Sequence, residues 1–229
     1  MRIRHIKGSE EYIASDPFVI QQPETYKGKW KKEVFGNDAP LFLEIGMGMG
    51  TFIRTHSFMH PENNYIGFEL NTTVLYKAVK RYEGELMERG ADPKDPEGRN
   101  LRFIRSDARL LCGYFEDHEV DRIYLNFSDP WPKDKNANKR LTSPQFLSLY
   151  DRILKKDGRI EFKTDNRGLF DYSVETFPAS GWDIKEITYD LHNDVRMNEG
   201  NVMTEYEAKF SAKGNPIFKL IAARTEDQG

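Results

Sequence analysis

The sequence lacks the marks of several simple functional classes. Its 229 residues include one cysteine, Cys112, so no internal disulfide can form and no thiolate set is available for zinc. That cysteine sits in the apolar run Leu110 to Phe115 and reads as packing, not as a nucleophile. No apolar run is long enough to cross a bilayer, so no membrane association is expected. The opening MRIRHIKGSEEY has no apolar core of the signal-peptide kind, and the expected localisation is cytoplasmic. His56 and His60 are one helical turn apart but enclose no glutamate of an HExxH pattern, so they read as surface histidines and no metal is expected. Repeats and low-complexity tracts are absent as well. Net charge is small: 34 Lys and Arg against 37 Asp and Glu leave −3, which alone argues for no polyanionic partner.

What is present suits an ordinary soluble chain. Hydrophobic residues make up 38%, mean hydropathy is −0.72, and the length allows one sizeable core. The expectation is one domain over residues 1–229, with residues 1–39 an N-terminal basic arm laid over a core of residues 40–229. The arm shows no sustained periodicity and carries Pro17, Pro23, Gly28 and Gly36. Charge is unevenly spread. Arg2, Arg4 and Lys7, then Lys27, Lys29, Lys31 and Lys32, then the tract WPKDKNANKR at 131–140 form local basic patches. They suit a polyanion docked on one face, or equally solvated loops.

The most informative stretch is Leu41 to Thr51, LFLEIGMGMGT. It reads as a buried strand followed by a glycine turn, where Gly46, Gly48 and Gly50 let a ligand lie on the backbone ahead of a helix. The dinucleotide fingerprint would space its last two glycines three apart; here they are two apart, which disfavours NAD. An acid before the glycines, Glu44, is the pattern of enzymes that bind S-adenosylmethionine. A plain strand-to-helix turn would carry the same glycines. The second strand, Asn64 to Leu70, holds Glu69, 23 residues past Gly46 and close to the spacing at which a carboxylate meets ribose hydroxyls. A third strand, Leu101 to Ser106, runs into Asp107 and Ala108. In a parallel sheet all three acids share one rim.

The fourth strand, Asp121 to Phe127, delivers Ser128, Asp129, Pro130, Trp131, Pro132 and Lys133. Pro130 biases Asp129 to an extended backbone. Ser143 and Pro144 start a helix whose apolar face is expected to run to Gly158, before a fifth strand at Arg159 to Lys163 ending in Thr164 and Asp165. A helix over 167–177 follows. Apolar alternation at Trp182 and Ile184 slips by one at Ile187 and Tyr189, which predicts a bulge in the sixth strand. Residues 190–203 read as polar loop. Thr204 and Glu207 have capping-box spacing before a short helix, and Ile217 to Ala223 reads as the last strand.

Five stretches in order, LFLEIGMGMGTF, NYIGFEL, YLNFSDPWPK, FKTDNRGLF and GNVMTEYE, resemble the bacterial tRNA (guanine-N7-)-methyltransferase family. The pairing of SDPWPK with TDNRG carries more weight than any glycine pattern. The resemblance implies an α/β fold of the class I S-adenosylmethionine-dependent methyltransferase type, Rossmann-like, with a seven-stranded mostly parallel sheet and helices on both faces. It implies S-adenosylmethionine as donor and tRNA as acceptor, at the variable-loop guanine of tRNA position 46. Carried over by position, Glu44, Gly46, Gly48, Glu69, Asp107, Ala108 and Asp129 are the cofactor-binding set, with Asp129 also catalytic. Lys133, Asp165, Thr204, Glu205, Tyr206 and Glu207 are the substrate-binding set, and Lys135, Lys139 and Arg140 are the RNA contacts. The family's tract after the motif is often denser in Arg, Lys and His than KDKNANKR. Members are monomers or homodimers, and the dimer is the preferred expectation here. Two rivals share parts of this pattern: a methyltransferase for a small molecule or protein, and a non-catalytic RNA- or nucleotide-binding protein on a Rossmann-like scaffold.

Overall fold

The structure, a computed structural model, describes residues 5–212 and 214–225; Arg2 and Arg4 of the basic start lie outside them. The described residues fall into two compact units divided after Phe115. In the first, β1 (Leu41–Ile45), β2 (Asn64–Phe68) and β3 (Leu101–Ile104) pair in parallel, with Leu43 beside Ile66 and Ile66 beside Arg102. Every residue of β2 and β3 is buried, as expected of parallel strands covered on both faces. The helices of this unit are α1 (Ser9–Ser15), α2 (Thr51–Met59), α3 (Thr72–Glu88) and α4 (Leu111–Tyr114). Asn71 starts α3 by accepting from the Val74 N–H at 3.1 Å. Leu75, Ala78, Val79, Tyr82 and Leu86 recur at helical spacing and pack with Ile53, Tyr65 and Phe103.

The arm is more structured than its sequence indicates. Phe103 donates its N–H to the Phe18 carbonyl at 2.8 Å and accepts from Ile20 at 2.9 Å, so residues 18–20 pair in parallel along β3. This covers a strand edge that would otherwise be open. Trp30 is fully buried and donates Nε1–H to the Tyr114 carbonyl at 2.8 Å.

An ion cluster fastens α1 to α3. Lys94 Nζ lies 2.6 Å from Asp16 and 2.5 Å from Glu83, Lys80 lies 2.9 Å from Glu83, and the Tyr12 hydroxyl donates to Glu83. Burial alone would raise the Glu83 carboxyl, but donation from Lys94, Tyr12 and Lys80 outweighs it and holds the group at about 2. Asp16 moves the other way, pushed up by burial against its bond to Lys94. A depressed carboxyl contributes stability above its unfolded-state pKa and loses it as pH falls through the folded value. Glu83→Gln is therefore expected to lower the melting temperature at neutral pH, with the gap to the parent closing between about pH 4.5 and about pH 2. A gap constant with pH would assign the loss to packing instead of charge.

The second unit contains β4 (Val120–Asn126), β5 (Leu154–Thr164), β6 (Trp182–Thr188) and β7 (Phe218–Arg224), with α5 (Pro144–Ile153), α6 (Arg167–Ala179), α7 (Val195–Asn198) and α8 (Glu205–Ser211). β4 and β5 are parallel, and β7 lies antiparallel between β5 and β6. The seven strands follow the order β3-β2-β1-β4-β5-β7-β6. The register break between Ile184 and Glu186 is the bulge that the slipped alternation indicates.

Three expectations need correction. α5 stops at Ile153, not near Gly158, and Leu154 already pairs with Val120. The next paired residues are Arg122 and Arg159, so the chain bulges between them, and a Cβ on Gly158 would stand 2.6 Å from Leu154 Cγ. That glycine marks a tight bulge and not a helix end. Ser143 precedes the N1 proline but makes no side-chain cap; its hydroxyl donates to the Asn138 carbonyl at 3.3 Å. Residues 190–203 include a 3-10 turn and α7, anchored by buried Leu191 and Met197 packed with Ile217.

Candidate active site

The first unit builds a glycine turn at the end of β1. Gly46 and Met47 both donate N–H to the Phe68 carbonyl, at 3.0 and 2.9 Å, which hooks the turn to the end of β2. Gly48 has φ +58°, in the left-handed region where a side chain is strained, and a Cβ there would meet nothing within 4 Å. Open space thus lies above the backbone at this point. Gly67 serves a different purpose: a Cβ on it would fall 2.3 Å from Met47 Sδ, so the bare strand lets Met47 brace the turn from below. Sequence reasoning missed that role, although an isolated glycine inside a strand is the signal for a close approach.

Glu44 and Glu69 flank the turn, and Asp107 follows the end of β3. Glu44 is buried within β1 beside Gly67. Glu69 accepts from the Gly48 N–H through Oε2 at 3.1 Å and from the Asn71 N–H through Oε1 at 2.8 Å, so it fixes the turn and retains lone pairs for hydroxyl donors. Asp107 accepts from the Arg109 backbone at 2.9 Å and from its guanidinium at 3.0 and 2.5 Å. The Arg109 bonds hold that carboxyl below its ordinary range. Ala108, buried, opens the 3-10 turn Ala108–Leu110. A bare loop under open space, with an acid fixed beside it, fits a nucleoside cofactor of the expected kind.

The second unit gathers the other expected residues after β4 and β5, two parallel strands whose ends face the same way. Phe127 donates its N–H to the Lys163 carbonyl at 2.8 Å and has φ +51°; Trp131 has φ +41°. Left-handed backbone costs roughly 1–3 kcal/mol at a non-glycine residue. Two such residues therefore bracket exposed Asp129, and outliers of this kind concentrate where geometry serves function. Lys133, Lys135 and Lys139 are exposed, with Lys139 Nζ 4.7 Å above the Trp131 ring. Asp165 is half-buried at the start of the turn into α6, which Asn166 caps by accepting from Leu169 at 2.8 Å.

Two of the residues that the resemblance assigns to RNA and substrate point inward. Arg140 is 8% exposed and donates to the carbonyls of Pro130 and Trp131, so it is committed to its own loop. Thr204 caps α8 as expected, accepting from the Glu207 N–H at 2.9 Å, but the Glu207 side chain is completely buried. Its Oε2 takes a bond from Lys163 Nζ at 2.8 Å and its Oε1 one from Asn201 Nδ2 at 2.7 Å, with His192 Nε2 at 3.5 Å. The strand pattern did not reveal the burial of Lys163: it is 3% exposed and also donates to Asn201 Oδ1 at 2.9 Å and the Val202 carbonyl at 3.1 Å. Glu205 and Tyr206 do face solvent, Tyr206 at 60% exposure and stacked between the rings of Phe127 and Phe210. Among the described residues there is no cluster of His, Cys, Asp and Glu that could hold a metal, and no helix long and apolar enough to cross a membrane.

Comparison with known proteins bears on this arrangement. A family profile described as putative methyltransferase matches residues 38–220. The tRNA (guanine-N(7)-)-methyltransferase of Lachnoclostridium phytofermentans is 50% identical over 99% of this chain and 100% of its own length. That of Streptococcus pyogenes is 46% identical over 97% of this chain and 99% of its own. Among solved structures, an antibiotic-related methyltransferase superposes with a TM-score of 0.61 at 17% identity, covering 85% of this chain and 92% of that one. The 16S rRNA methyltransferase KamB gives 0.60 at 8% identity, covering 86% and 94%. These structures establish the expected fold, a seven-stranded mostly parallel methyltransferase sheet. The near full-length identity to the bacterial enzymes goes further, and the chain belongs to the tRNA (guanine-N(7)-)-methyltransferase family.

Proposed function

We propose that this chain transfers a methyl group from S-adenosylmethionine to N7 of a tRNA guanine, the variable-loop residue at tRNA position 46. The observation that supports this reading is identity of 50% over 99% of the chain to a tRNA (guanine-N(7)-)-methyltransferase; the position in the tRNA is part of the proposal. The profile match at 38–220 crosses both units and supports treating them as one methyltransferase domain. The remaining expectations, cytoplasmic localisation and a monomer or homodimer with the dimer preferred, belong to the same reading.

When bound, S-adenosylmethionine supplies an electrophilic methyl group. Glu44, Gly46, Gly48, Glu69, Asp107, Ala108 and Asp129 would hold it: the glycines by backbone approach, Glu69 through ribose hydroxyls, and the acids by their charge toward a cationic ligand. Guanine N7 already has a lone pair, so the protein need remove no proton before attack. Its task is alignment, and positioning should supply most of the acceleration. Asp129 and Asp165 can accept from guanine N1 and N2, reading the base while leaving N7 free. Positive charge accumulates on the purine during transfer, so a carboxylate there favours the transition state over the bound substrate. Lys133, Thr204, Glu205 and Tyr206 complete the guanosine-facing set, with Glu207 acting from behind it. Lys135 and Lys139 are left to meet phosphate.

The direct test is incubation of the full chain with methyl-labelled S-adenosylmethionine and unmodified tRNA, followed by digestion to nucleosides. Label in 7-methylguanosine is the expected result, and a parallel nuclease digest to oligonucleotides is expected to place it in the variable-loop fragment. Cofactor binding without label in RNA would transfer the activity to a different acceptor.

A further inference from the structure

We infer that Arg140 is a positioning residue that holds the Asp129 loop in shape, and that it acts through the loop backbone and not through RNA. The proposal rests on the tRNA methyltransferase reading and deepens it. Arg140 closes the basic tract in sequence, yet its surroundings differ from those of its neighbours. Lys135 and Lys139 are exposed, while the Arg140 guanidinium is withdrawn from solvent. Its Nε donates to the Pro130 carbonyl at 3.2 Å and the Trp131 carbonyl at 3.4 Å, and Nη2 donates to the Trp131 carbonyl at 3.1 Å. The guanidinium carbon also lies 4.2 Å from the centre of the Tyr172 ring on α6, a second contact that holds the group.

The two carbonyls it holds belong to the residues immediately after Asp129. Trp131 is in the left-handed region, so the loop sits away from its relaxed backbone and needs a fixed partner to keep it there. A guanidinium can meet both carbonyls at once because its donors form a rigid planar fork; an ammonium is a single point of donation. Arg140 therefore sets where the Asp129 carboxylate stands, without touching the base itself.

Three variants of the full chain test this: Arg140→Lys, Arg140→Met and Tyr172→Leu. Turnover at saturating tRNA, the salt dependence of tRNA binding and acrylamide quenching of tryptophan are measured for each. Trp30 and Trp182 are fully buried and Trp131 is half-buried, so quenching reports the loop. Arg140→Lys keeps the charge and loses the fork. It is expected to lower turnover by about 10- to 100-fold, raise Trp131 quenching and leave the salt slope unchanged. Tyr172→Leu, which alters neither the charge nor the fork, should move turnover and quenching the same way by less. It carries the test if the Arg140 variants do not fold.

Parental turnover and quenching in Arg140→Lys would overturn the proposal. So would an Arg140→Met defect confined to tRNA affinity, with the salt slope reduced by about 1, since that is the signature of a phosphate contact. If the parent itself methylates no tRNA, the proposed function fails, and quenching still decides whether Arg140 holds the loop.

Discussion

Asp129→Ala is expected to lower turnover at saturating cofactor and tRNA by roughly 10²–10³-fold, the range seen when one preorganised electrostatic group is removed from a transition state. Affinity for S-adenosylmethionine should change by no more than about tenfold, because the glycine turn and Glu69 belong to a separate set of hydrogen bonds. The reason lies in how the side chain is presented. Asp129 is exposed, flanked by Phe127 and Trp131 in left-handed backbone, and its following carbonyls are held by Arg140. Under the proposed function, a loop backbone held in this way would place the carboxylate to meet the charge that develops on the purine. Asp129→Asn keeps the shape and loses the charge, so it separates hydrogen bonding from electrostatics: a fall close to that of alanine assigns the effect to charge. Loss of cofactor binding in Asp129→Ala, with turnover preserved at saturating cofactor, would leave this residue a cofactor ligand only and remove its catalytic role. Single-turnover label transfer and equilibrium cofactor binding measure the two quantities independently.

The parts of the molecule legible in sequence are those specified locally. β1 and its glycine turn are an apolar run meeting residues that must adopt positive φ, and both signals lie within eleven residues. The bulge in β6 is visible as a one-residue slip in alternation, because the side-chain period of a strand is two. Asn71 and Thr204 announce the helices they cap. The arm was less legible: its elements are too short for periodicity, and the pairing of residues 18–20 depends on Phe103, far along the chain in β3. The end of α5 was ambiguous because Ile153 and Leu154 suit a helix or a strand equally, and the deciding partner, Val120, is remote. Arg140 and Glu207 are assigned to RNA and substrate by the resemblance alone, and their burial comes from partners that no local pattern displays. Lys163 is the plainest case, a lysine at a strand end made interior by a glutamate 44 residues later.

That pair carries the largest expected effect on stability. Glu207→Ala would strand the Lys163 ammonium, 3% exposed, without the carboxylate 2.8 Å away, and breaking a buried pair from one side costs about 3–5 kcal/mol. The double variant Lys163→Met/Glu207→Leu removes both charges and is expected to recover most of that loss, because neither group is left uncompensated. Urea denaturation of the parent, both single variants and the double variant gives the coupling directly, and additive losses would show that the two side chains act independently. Function should not recover with stability. Lys163 binds Asn201, Val202 and Glu207, so it ties both ends of the segment that carries Thr204, Glu205 and Tyr206 to the end of β5, next to Asp165. Two apolar side chains can fill the space but cannot direct that turn. The double variant is therefore expected to fold with near-parental stability while KM for tRNA stays raised. Recovery of KM along with stability would reduce the ion pair to a packing element and leave the turn positioned by the Thr204 cap alone.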